Sequence, residues 1–265
     1  MSVFTRLPYI IAACFCFSTT ARADTNLIYE MKGVETLRIA VRGNLFRWEF
    51  AGGRRSPMTI VYDNKRRQID LIDDKRKRIY QINDETLAAQ RNNDARRKRA
   101  MESARRDYKN MSPERRRQFE KRMQPWQLKR LRGDGSDEKD PTTIRMGKSA
   151  KVKGYPCRFV DTILNEQPKS QICVADRSAV GMSKADFTTL TGMFRFLGEL
   201  TKTSRMASTH FARNLKGVPL QMKDNRRGKV QTIRTISHAP LSDDVFKLPP
   251  YERIDPMGRR PKRRR

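Results

Sequence analysis

From Leu27 to Ile82 apolar residues recur at every second position: Leu37, Ile39 and Val41, then Phe46, Trp48 and Phe50, then Met58, Ile60 and Tyr62. A period of two puts such residues on one face of a β-strand. The pattern is interrupted at Gly43-Asn44, Gly52-Gly53, Asp63-Asn64 and Asp73-Asp74, all pairs that favour tight turns. Ile69, Leu71, Ile79 and Ile82 continue the alternation. The segment therefore predicts about five short antiparallel strands joined as a meander, with one face buried.

At Asp84 the composition changes to Arg, Lys, Glu, Gln, Ala and Met, with few β-branched residues as far as Leu131, which predicts helix. Leu87, Ala88, Ala95, Met101, Ala104 and Tyr108 form only a thin apolar stripe. Ser112-Pro113-Glu114 marks a second helix start, with Ser as N-cap and Pro in the first turn, and Phe119 and Met123 then share a face. Two helices broken near 110–112 are expected, either projecting from the sheet or lying on it, followed by an acidic linker over 133–140.

Strand patterning returns from Ile144 to Ala175, with a turn around Asn165 to Lys169 that brings Cys157 and Cys173 roughly opposite one another. Ser183, with Asp186 three residues on, begins a helix whose apolar positions, Phe187, Leu190, Met193, Phe194, Leu197 and Leu200, are spaced by three and four. Such a stripe packs on its own sheet or lines a groove, and with Trp48 and Tyr62 it is the candidate lining of a ligand cavity. Val218, Leu220 and Met222, then Val230, Thr232 and Ile236, predict a last hairpin turning at Asp224 to Gly228. One domain over 24–252 is expected, with a disordered basic tail over 253–265.

The N-terminus has another character. Arg6, the apolar run Leu7 to Phe17 and Ala21-Arg22-Ala23 before Asp24 fit a cleaved export signal over 1–23, too short to span a membrane. Periplasmic localisation follows as the expectation. Cleavage after Ala23 removes Cys14 and Cys16; the lipoprotein-like Ile11-Ala12-Ala13-Cys14 is the poorer processing site, so lipidation at Cys14 is not expected. Cys157 and Cys173 remain, an even count that suits a disulfide in an oxidising compartment.

Charge extends this picture. The 265-residue chain has a formal net charge of +29, which falls to +27 without Arg6 and Arg22. In the cytoplasm nucleic acid is the natural counterpart; after export, anionic lipid, lipopolysaccharide or another polyanion such as an acidic glycan replaces it. A bland alternative is that the charge merely solvates the chain. The candidate surface residues are Arg96, Arg97, Lys98 and Arg99, Arg115, Arg116 and Arg117, and the tail run ending Arg263, Arg264 and Arg265. Only Tyr108, Phe119 and Trp126 lie near these runs, too few for stacking on single-stranded bases, so docking by charge without deep insertion is favoured.

Catalytic chemistry finds little support. His210 and His238 have no recognisable partner motif, and no nucleophile elbow, zinc spacing or phosphate loop occurs. Asp73-Asp74 and Asp243-Asp244 are adjacent residues in turn-like surroundings, not converging carboxylates. No catalytic residue, metal or cofactor is assigned, and the chain is expected not to be an enzyme.

Dispersed pieces through the chain carry a family resemblance: Met58-Thr59-Ile60-Val61-Tyr62-Asp63, Ile79-Tyr80, Gly154-Tyr155-Pro156-Cys157, Cys173-Val174-Ala175, Gly217-Val218-Pro219 and Phe246-Lys247-Leu248-Pro249-Pro250-Tyr251. In these the chain resembles a family of exported bacterial domains of unknown function grouped with the lipoprotein-carrier (LolA-like) superfamily. The resemblance implies an α+β fold: a curved antiparallel half-barrel sheet covered by helices, with an apolar cavity that in superfamily members holds acyl chains. The basic helical segment 84–132 then stands as an insertion. The expected function is that of a non-enzymatic envelope binding protein for an apolar or lipidic ligand; the alternative is a polyanion binder that uses the sheet only as scaffold.

Overall fold

In the computed structural model the described residues are 24–50, 58–133, 142–164, 166–200, 216–225 and 227–256. Six strands come first: β1 (Thr25–Met31), β2 (Val34–Arg42), β3 (Leu45–Phe50), β4 (Met58–Asp63), β5 (Gln68–Asp73) and β6 (Arg78–Ile82). Three helices follow, α1 (Asp84–Asn110), α2 (Pro113–Lys121) and α3 (Pro125–Arg132). The chain then returns to sheet with β7 (Thr142–Val152), β8 (Tyr155–Leu164) and β9 (Gln167–Ala175). Helix α4 (Lys184–Leu200) precedes β10 (Val218–Asp224), β11 (Lys229–Ser237) and the short β12 (Glu252–Ile254).

All twelve strands belong to one sheet in the order β12-β6-β5-β4-β3-β2-β1-β11-β10-β9-β8-β7, antiparallel throughout except for the β12–β6 pair. The sheet is open and curved, consistent with a half-barrel. Its curl is visible at the β7–β8 turn: Lys153 Nζ lies 3.5 Å from Glu30 of β1, although four strands separate β7 from β1 in the sheet. Leu27, Tyr29, Leu37, Ile39, Val41, Phe46 and Tyr62 on the concave face meet Leu190, Met193, Phe194 and Phe196 of α4 in one core. The disulfide Cys157–Cys173, with Cα atoms 5.5 Å apart, lies in the same core. A bond of this kind fits an oxidising compartment.

The structure corrects the sequence expectations in four places. The meander has six strands, because Lys32-Gly33 is also a turn: both residues adopt left-handed backbone, φ 55° and 79°, as a two-residue hairpin requires. The basic segment forms three helices, with the expected break at Met111-Ser112 and another at residues 122–124. Pro125 cannot continue α2, so Met123 falls outside it and Gln124 caps α3. Cys157 and Cys173 are diagonal neighbours, since Phe159, not Cys157, is paired with Cys173. The chain beyond Tyr251 continues as β12, parallel to β6.

The segment leading to β12 is a strap across the outer face of β2 to β6. Arg42 Nε donates to Asp24 Oδ2 at 3.1 Å, and its guanidinium also bonds Leu241 O and Asp243 and lies 5.1 Å from the centre of the Phe246 ring. Arg47 Nη1 donates to Val245 O at 2.9 Å, while Leu248 and Tyr251 pack on Val61, Ile72 and Ile79. The chain thus covers its own outer face on this half of the sheet.

Candidate functional site

Helix α4 is locked to the sheet through its first turn. Ser183 Oγ accepts from Asp186 N at 3.1 Å, the expected cap. The Asp186 carboxylate, 2 % exposed, accepts from Gly43 N and Thr25 Oγ1, both at 2.8 Å, and Thr189 donates to Gly43 O. The helix also approaches β4 closely at Gly192, where a Cβ would stand 2.4 Å from Asn64 Oδ1.

This docking brings the predicted cavity residues together as packed core. Leu190, Met193, Phe194 and Tyr62 are buried, and Phe187, Leu197 and Trp48 pack against the same cluster. Trp48 stacks on Phe50 at 5.0 Å and meets Phe194 edge-on at 5.9 Å, and Tyr62 lies 5.8 Å from Phe196. Burial raises the Tyr62 and Tyr29 phenol pKa values above the ordinary range. Three clefts open elsewhere among the described residues, and none of these side chains lines them.

One of these clefts, about 780 Å³, lies on the outer face of β7, β8 and β9. Ile144 and Met146 of β7, Val160 of β8, and Ile172 and Val174 of β9 contribute to it, with Arg158, Lys216 and Asp176 among its polar residues. Met146 is 60 % exposed. Sequence patterning missed this site. Its signal was Ile172-Cys173-Val174-Ala175, an unbroken apolar run that marks a strand apolar on both faces.

The basic segment forms an arm. Helix α1 is about 40 Å long, and only Thr86, Leu87 and Tyr108 of it are buried. Its base is tied down by ion pairs: Arg67 to Asp84 at 3.0 Å and to Glu199 of α4 at 3.7 Å, and Arg91 to Glu199 at 3.0 Å. The hydrogen bond to Asp84 raises the Arg67 pKa further. At the far end Tyr108 stands 6.3 Å from Phe119 and bonds Glu120, which also accepts from Arg132 at 2.6 Å. These hydrogen bonds, Tyr108 first and Arg132 second, hold Glu120 below its ordinary value of 4.5.

Arg96, Arg97, Lys98 and Arg99 are exposed on α1, as are Arg115 and Arg117 on α2. Arg116 instead serves the fold. Half-buried over Tyr108, it donates to Lys109 O at 2.8 Å and Met111 O at 3.3 Å, satisfying carbonyls at the C-terminal end of α1. Lys98, Arg99, Arg106 and Lys109 share one exposed face of α1. Arg263, Arg264 and Arg265 lie outside the described residues, as do His210 and the signal segment 1–23.

The carboxylate pairs serve local structure. Asp73 accepts from Arg76 N at 3.0 Å, Asp74 from Tyr251 Oη at 3.0 Å, Asp243 pairs with Arg42, and Asp244 pairs with Lys247 at 2.6 Å. His238 Nε2 lies 2.8 Å from Val180 O and donates to it, fixing the loop after β9.

No family model matches the chain, and no curated protein matches it. The chain is distantly similar to several solved structures, among them the following two. An uncharacterized conserved protein from Thermus thermophilus matches with a TM-score of 0.39 at 8% identity, over 89% of this chain and 92% of that one. MucB, in complex with MucA(peri), matches with a TM-score of 0.30 at 11% identity, over 86% of this chain and 54% of MucB, so the chain spans about half of that protein's length.

Proposed function

We propose that this chain is an exported, non-enzymatic binding protein of the bacterial envelope, LolA-like in its sheet, that takes an apolar or lipidic ligand and docks on anionic envelope surfaces through its basic arm. The observation that carries the docking is the arm itself. Residues 84–132 hold sixteen Lys and Arg against seven Asp and Glu on three helices, in which Thr86, Leu87, Tyr108 and Leu131 are the buried positions among the described residues, and the arm is braced at its base by Arg67, Glu199 and Arg91. A helix with so few apolar anchors meets a charged surface by electrostatics, at roughly 1 kcal/mol per basic residue near an anionic bilayer. In this reading the helices 84–132 are an insertion into the sheet domain, the disulfide forms in the periplasm, and the signal is cut after Ala23.

The rival reading is a polyanion-binding protein that uses the sheet as scaffold. It is favoured by the spread of Arg96, Arg97 and Lys98 around α1, which suits a flexible polymer as well as a flat surface. Binding compared at physiological salt separates the two. Retention of anionic vesicles or lipopolysaccharide, with duplex DNA lost, supports the envelope reading; the reverse supports the rival. Sequencing of the mature N-terminus should find Asp24.

A further inference from the structure

We infer that the outer face of β7, β8 and β9 is a binding cleft for a single-chain anionic amphiphile, a fatty-acid-like molecule whose chain lies on the sheet and whose acid group meets Arg158 and Lys216. The inference rests on the reading of the chain as a binding protein for an apolar ligand, and it gives that ligand a place and a charge.

The packing leads there. On the concave side α4 fills the face of the sheet with Leu190, Met193, Phe194 and Phe196, all buried. On the outer side the strap covers β2 to β6 with Phe246, Leu248 and Tyr251, but it ends by pairing with β6, at the far edge from β7. At the β7 end the described residues leave a cleft of about 780 Å³ over Ile144, Met146, Val160 and Val174. That volume falls within the range of roughly 300–1,000 Å³ typical of small-molecule sites. Three strands at a spacing of about 4.8 Å give a floor only as wide as one extended chain with its surroundings.

Charge selects the head group. Arg158 and Lys216 are both exposed at the cleft, and neither has an ion-pair partner among the described residues. Asp176 is the one acidic residue among those lining it, so the cleft has a net positive charge. A carboxylate or a phosphate monoester meets two cations there, whereas an alkylammonium meets like charge.

The test uses delipidated mature protein and n-alkanoates from eight to fourteen carbons, with alkyltrimethylammonium ions of equal length as controls. Affinity should tighten about fourfold per added methylene, the value for burying a CH₂ at about 0.8 kcal/mol, and the alkanoates should bind better than the cations. The double variant Arg158→Glu, Lys216→Glu changes exposed residues and should melt like the parent while inverting that preference. A photoreactive fatty acid should cross-link to β8 or β9. Binding that ignores the charge reversal, with cross-links on residues 187–197, overturns the cleft and leaves the apolar-ligand reading standing. No binding of any amphiphile overturns both.

Discussion

Asp186→Ala tests how α4 is held. The wild-type carboxylate is buried and accepts hydrogen bonds from Gly43 N and Thr25 Oγ1, each at 2.8 Å. It also stands in the first turn of α4, where a negative charge complements the helix dipole. Hydrogen bonds to a charged group contribute about 1.5–3 kcal/mol each, and removal leaves two buried donors without acceptors. Relief from burying a carboxylate offsets part of this, so a net loss of about 3–5 kcal/mol is expected. Asp186→Asn keeps one oxygen for Gly43 N, and Thr25 can turn its hydroxyl to accept, so its cost should be about 1–2 kcal/mol. Equilibrium unfolding in urea supplies both values, with the slope unchanged if only native stability has moved. A loss below about 1 kcal/mol for Asp186→Ala, or equal losses for the two variants, would refute the locking role.

Cys157→Ala, Cys173→Ala and the double variant should each lose about 3 kcal/mol, as expected for opening a loop closed by residues 16 apart, and should not add; free-thiol titration of the unreduced mature protein should find none. Lys32→Asn should raise stability by about 0.5–1 kcal/mol, because Lys32 is exposed with φ 55°, where Asn is tolerated better than Lys; a lower thermal midpoint would count against this. Glu120 has a folded pKa below its unfolded value, so its hold on Tyr108 and Arg132 is present above the ordinary carboxylate range and is lost as pH falls through the folded pKa. Hydrogen-exchange protection over 108–132, corrected for the intrinsic rate at each pH, should fall on acidification, and Glu120→Gln should remove that acid-dependent change.

Much of the fold was legible because its determinants are local. Ser183 and Ser112 announce their helices by cap chemistry, and the alternation Phe46, Trp48, Phe50 marks a strand with one face inward. The misses have physical causes. Lys32-Gly33 lacks the Asn or Asp that usually marks such a turn, so the break between β1 and β2 is absent from the expected turns. Three residues, Glu252–Ile254, carry no periodicity, and only the strap's grip on Val61, Ile72 and Ile79 places them beside β6. The residues named for a cavity lie together in the packed core, and alternation along a strand does not tell whether the partner across the core is a ligand or another side chain. Phe194 against Trp48 is the case in point.

Titration of anionic vesicles with salt, for the parent and for the variant Lys98→Gln, Arg99→Gln, Arg106→Gln, Lys109→Gln, tests the docking claim most directly. These four residues are each exposed on α1 and none belongs to its buried set of Thr86, Leu87 and Tyr108, so the variant should melt like the parent. At about 1 kcal/mol per basic residue the variant should lose up to roughly a thousandfold in affinity at low salt, with a flatter salt dependence, and neutral vesicles should bind neither protein. Equal binding of parent and variant, or equal binding of the parent to neutral and anionic vesicles, would contradict it.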